Sequence, residues 1–170
     1  MTRTITKRVA GLELTFTRDS LLARKLLEWE EACAHCKEMT NVLAQREDEL
    51  GEVKHALGNI AWDCSVEDIA AALGTRQALE FIVNELRRRV DNAAQRAQEA
   101  QTKLSQMARS IHSDLLQIER LEDPGQRIGN LGVAERQEQA ERLKQGVFKR
   151  TGVRPEGKRK SRGDGRQREE

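Results

Sequence analysis

LLARKLLEWEEACAHCKEMTNVLAQREDELGEVKHALG, residues 21–58, decides the fold. Apolar side chains recur at Leu22, Leu26, Trp29, Cys33, Cys36, Met39, Leu43, Leu50, Val53, Leu57 and, just beyond, Ile60. Spacings of three and four hold for most of this run, which is the period of one helical face. Positions 22, 29, 36, 43, 50 and 57 keep an unbroken seven-residue repeat. The companion row slips from Leu26 and Cys33 to Met39, then to Val53 and Ile60, as a nearly straight helix does against a strict heptad. The stretch is predicted to be one helix over about 20–58, roughly 58 Å long, capped by Asp19 or Ser20.

A second stripe runs through Leu79, Val83, Leu86, Val90, Ala93, Ala97, Ala100, Leu104, Met107, Ile111, Leu115 and Ile118. It predicts a helix over about 76–121, stopped by Asp123-Pro124-Gly125. Two long helices joined by a compact connector form an antiparallel hairpin. Folding back about that connector makes facing residue numbers add to about 134, setting Glu47, Asp48 and Glu49 near Arg87, Arg88 and Arg89. Each such exposed pair is worth only about 0.2–1 kcal/mol, and pairing of Glu85 with Arg89 along the helix competes. The expected coil seam is Leu22, Trp29, Cys36, Leu43, Leu50 and Leu57 on one helix. On the other it is Leu79, Val83, Leu86, Val90, Leu104, Ile111 and Ile118.

The connector, SVEDIAAALGTRQALEFIVNEL from Ser65 to Leu86, reads as a short helix over 66–73 that Ser65 caps and Gly74 ends, with Thr75 capping the next element. It also resembles a helix-turn-helix, in which a short helix braces one that enters the major groove. Arg76 and Gln77 suit base contacts, but Glu80 would face phosphate. The tight interhelical connector is the expected reading.

Ahead of the helices, residues 4–17 alternate as a β-hairpin. Leu12, Leu14 and Phe16 share one face, Ile5 and Val9 lie in the first strand, and Ala10-Gly11 makes the turn. A lone two-stranded hairpin is marginal in water, so its apolar face must cover a helix or join a second copy of itself. The predicted organisation is mainly α: a β-hairpin (1–18), a long antiparallel coiled-coil-like helical hairpin (19–122), a hinge with a short polar helix (123–148, helix from about Ala134 to Gln145) and a disordered basic tail (149–170).

Composition agrees. Hydrophobic residues make up 37% and aromatic residues 3% of the 170, too few large side chains for a thick core but enough to zip amphipathic helices together. The net charge of +2 hides an acidic body and a basic end. The basic end consists of Lys149, Arg150, Arg154, Lys158, Arg159, Lys160, Arg162, Arg166 and Arg168. Such a run either solvates the chain end or neutralises phosphates without sequence preference. The excess of Arg over Lys is what a GC-rich bacterial or phage genome produces.

Cys33 and Cys36, flanking His35, are the residues that look most like chemistry. Three apart on one apolar stripe, they read first as small seam residues. A zinc site needs four converging ligands, and Cys64, His55 and His112 are too far along their helices to supply them. Two Cys33–Cys36 pairs meeting in a parallel dimer are the one metal arrangement left. A redox CxxC wants a helix N-terminus, whereas these lie turns inside a helix, downstream of Glu28, Glu30 and Glu31. No nucleophile–base pair or phosphate loop stands out, so no enzyme and no cofactor are expected.

No run has the roughly 20 apolar residues of a membrane helix, and the first residues lack a secretory core. The expectation is a cytoplasmic homodimer that binds another protein through its coil, as adaptor, inhibitor or assembly factor. The alternative is a nucleic-acid-binding accessory or regulatory protein that dimerises through the coil and grips with the basic tail.

Overall fold

A computed structural model describes residues 3–60, 64–123, 125 and 132–156. The elements are β1 (Thr4–Val9), β2 (Leu12–Thr17), α1 (Leu21–Gly58), α2 (Val66–Glu122) and α3 (Val133–Thr151). The protein is mainly helical, with a small antiparallel hairpin at its start. The chain divides into two compact units, one of residues 1–24 with 104–170, the other of residues 25–103.

The first unit holds the larger core. β1 and β2 pair Ile5 with Phe16, Lys7 with Leu14 and Val9 with Leu12, so these six share a face of the sheet. Ala10 and Gly11 both take positive φ (50° and 82°), the pattern of the tight turn whose twist suits a hairpin. Ser20 caps α1: its hydroxyl accepts from the Ala23 amide (3.2 Å) and donates to the Thr17 carbonyl (2.7 Å). Val9, Leu14, Phe16, Leu22, Leu104, Ala108, Ile111, Ile118, Ala140 and Val147 are buried in this unit. The hairpin's apolar face is thus covered within the unit, the first of the two options its sequence allowed.

α3 is longer than expected, running past Gln145 to Thr151, because Ala140, Lys144, Val147 and Thr151 form a buried stripe at helical spacing. It ends at Gly152, which is left-handed (φ 70°) and donates its N–H to the Phe148 carbonyl at 2.7 Å. A Cβ at this position would run into the Thr17 side chain, so the end of α3 sits directly on β2. The basic tail expected to be disordered from residue 149 is therefore folded through the helix end, and the described chain continues to Glu156.

The second unit is the helical hairpin. Arg87 holds Glu47 through Nε and Nη2 (3.0 and 2.7 Å), and Lys54 holds Glu80 at 3.2 Å. In both pairs the residue numbers add to 134, the register read from the charge clusters. Only part of that charge matching forms. Glu49 pairs with Arg46, and Arg89 with Glu85 along its own helix.

The expected break at Gly74 is absent, so the short helix 66–73 and the helix from 76 are one continuous element, α2. Ser65 does cap it: its hydroxyl accepts from the Asp68 amide (3.1 Å) and donates to the Asp68 carboxylate (2.7 Å). One mid-helix Gly costs only about 1 kcal/mol, and the surrounding Ala and Leu offset it. Thr75, instead of capping a new helix, donates its hydroxyl back to the Ala71 carbonyl at 3.0 Å. A helix without a turn at 74 cannot present the two-helix geometry of a helix-turn-helix.

Candidate interaction surfaces

The positions expected to form a coil seam are buried in the first unit and mostly half-buried in the second. Leu22, Leu50, Val83, Leu104, Ile111 and Ile118 are buried. Trp29, Cys36, Leu43, Leu57, Leu79, Leu86 and Val90 are half-buried. Two helices alone cover each other along one line, leaving the flanks of a wide stripe in water.

Cys33 corrects the seam reading. It is exposed, with Cys36 half-buried and Cys64 exposed. Cys33 falls off the seam because the stripe drifts past it towards Met39, the slip already visible in the heptad. Among the described residues, no group of three or more His, Cys, Asp and Glu side chains is placed to hold a metal ion. His35 is exposed, His112 half-buried, and His55 lies 3.2 Å from the Asn59 amide.

The basic residues divide into two sets. Arg150 belongs to the fold: its guanidinium pairs with the Asp114 carboxylate, donates to Ser110 Oγ (2.8 Å) and donates to the Gly146 carbonyl (2.9 Å). Arg154 holds Glu141 at 2.8 Å. Lys149 is exposed on α3. Lys158, Arg159, Lys160, Arg162, Arg166 and Arg168 lie outside the described residues.

A polar cluster fixes α3 to α2. The buried Lys144 pairs with Glu122 and, at 3.4 Å, with Glu141. The Glu122 partner raises the Lys144 ammonium above its ordinary value, against the opposing effect of burial. Glu141 is held below the usual carboxylate range by Arg154 and then Lys144, and Glu80 likewise by Arg76 and then Lys54.

α2 also carries large apolar side chains outside the seam. Phe81 is 74% exposed, and Val66 (78%) and Leu73 (45%) are exposed on the same helix. Phe81 stands two residues from both Leu79 and Val83, so about 160–200° around the helix from the seam. Following the inner stripe from residue to residue passes over Phe81, which stands on the opposite side among small and polar residues. No helix among the described residues is long and apolar enough to cross a membrane. Compared with known proteins, the chain matches no protein family, no curated protein and no solved structure.

Proposed function

We propose that this is a non-enzymatic interaction protein, an adaptor, inhibitor or assembly factor acting in the cytoplasm and able to self-associate, whose working surface is the helical hairpin of α1 and α2. The observation that carries this reading is the apolar surface left in water on that hairpin: Leu27, Leu73, Phe81 and Ile82 are all exposed while its seam is half-covered. Three of them, Leu73, Phe81 and Ile82, fall within ten residues of α2, and exposed apolar side chains brought close together support a protein-binding reading.

The test is affinity capture with the full chain beside a Leu27→Ser/Leu73→Ser variant that keeps its helical circular dichroism. A protein retained by the wild type, lost with the variant and bound again from purified components supports the reading. Equal retention by both places the contact elsewhere.

Nucleic-acid binding is the second reading, favoured by nine basic against two acidic residues between Lys149 and Arg168. Because Arg150 and Arg154 are engaged within the fold, the arm is the segment beyond Glu156. Anisotropy on random duplex DNA across a salt series, with Lys158, Arg159, Lys160, Arg162, Arg166 and Arg168 replaced by Gln, decides it. Steeply salt-dependent binding that disappears with the six charges supports it.

A further inference from the structure

The outer face of α2 between Glu67 and Arg88 has a pattern of its own. Reading along it at helical spacing gives Glu67, Ala70, Gly74, the neighbours Gln77 and Ala78, then Phe81, Glu85 and Arg88. Gly74 opens a gap on this face, since a Cβ there would meet nothing within 4 Å. Phe81, seven residues on, projects from the same side with three-quarters of its surface in water.

A charge of opposite sign closes each end. Glu67 and Arg88 are exposed and make no ion pair among the described residues, although the neighbours Arg87 and Arg89 both do. The face is therefore a knob beside a hole, bracketed by an acid and a base that are both open to a partner.

Rotating such a face by half a turn about a point between Gln77 and Ala78 lays it on itself. In that antiparallel arrangement facing residue numbers add to 155. Phe81 of each copy meets Gly74 of the other, and Glu67 of each meets Arg88 of the other. One register satisfies both the steric and the electrostatic pairing, and a two-fold axis uses each twice. A missing side chain is what lets two helix backbones approach closely enough for a Phe to seat between turns.

We propose that the occupant of this face is a second copy of the chain, docked α2 against α2 in antiparallel register about residues 77 and 78. The seam on the opposite side of α2 stays with α1, so the two contacts do not compete. This inference concerns self-association alone: a monomeric chain would overturn it and leave the capture of a different protein open.

The test is sedimentation equilibrium of the full chain and four variants. The wild type dimerises, and Phe81→Ser weakens the dimer by about 100-fold or more, as removal of a central aromatic anchor does. Glu67→Arg and Arg88→Glu each weaken it by about 3- to 10-fold, since each sets like charges together at both ends. Glu67→Arg with Arg88→Glu in one chain re-pairs the ends and restores association. That rescue does not depend on Phe81→Ser folding properly.

As an independent measure, Gln77→Cys in a chain with Cys33, Cys36 and Cys64 changed to Ser is joined to its copy by a short bismaleimide. A monomeric wild type at about 0.1 mM, which sets a bound of weak affinity, overturns the proposal. So does a dimer indifferent to the charge variants, an unrescued double variant, or failure of the Gln77→Cys chain to cross-link.

Discussion

The two units contain the same kinds of residue and reach different degrees of closure. In the first, a hairpin, the start of α1, the last third of α2 and α3 surround one core, and Phe16, Leu22 and Ile111 are fully buried. In the second, the described elements are two helices joined by the Arg87–Glu47 and Lys54–Glu80 pairs. There the buried apolar side chains among the described residues shrink to Leu26, Leu50, Val83 and Ala93. A third layer separates the cases: a helix pair buries a line, and a further element is needed to bury an area. The larger closed core belongs to the first unit, while large apolar side chains stay exposed in both: Leu21, Leu116, Val133 and Phe148 in the first, and Leu27, Val66, Leu73, Phe81 and Ile82 in the second.

The sharpest way to break this comparison is paired truncation. Phe16→Ala should cost about 3–5 kcal/mol, the usual cost of emptying a closed site, while Leu43→Ala in the half-open seam should cost about 1 kcal/mol. Urea unfolding of both variants measures it. A Leu43→Ala cost equal to that of Phe16→Ala would mean the seam is covered in solution by something beyond its own hairpin.

Two glycines sharpen the contrast further. Gly152→Ala combines a left-handed backbone with a Cβ driven into Thr17, and should lose about 2–3 kcal/mol. Gly74→Ala adds a methyl to open space in mid-helix and should gain about 1 kcal/mol. If Gly74 is the hole for a neighbouring Phe81, the same stabilised variant will dimerise less well than the wild type.

The pH response differs between units in its alkaline arm. Glu80 in one unit and Glu141 in the other are both held low, so each contributes stability above its unfolded value that is lost as pH falls through its folded value. Both units should soften together in acid, below about pH 4. Lys144 is raised, so its contribution is complete below its unfolded value and lost as pH climbs through the folded one, above about 10.4. Thermal melts across the alkaline range should therefore report loss in the first unit, and Lys144→Met should flatten that arm. The smallest effect expected is at the hairpin turn. Ala10→Gly relieves a positive φ and should add about 0.5–1 kcal/mol, read as a small rise in Tm.

Much of this fold was legible because it is local. The hairpin follows from alternation at Leu12, Leu14 and Phe16, α1 from its three-and-four spacing, and the coil register from acids near Glu47 opposite bases near Arg87. The break placed at Gly74 failed because a single Gly is a weak stop inside a run of Ala and Leu. The extent of α3 was hidden by Gly146 and by a sparse stripe whose meaning depends on β2, far earlier in the chain. Spacing alone puts Cys33 in the seam, and the slow rotation of the stripe carries it out to solvent. Phe81 was missed for a different reason. It stands opposite the stripe being followed, on a face of small, polar and charged residues with no apolar period of its own.

The contact between Gly152 and Thr17 also orders events in time. During synthesis the hairpin emerges long before α3, which covers it, so its apolar face must wait until both long helices have been made. The second unit has no such delay, because everything it needs is out once Lys103 has appeared. A nascent chain therefore completes its helical hairpin before it can close its larger core.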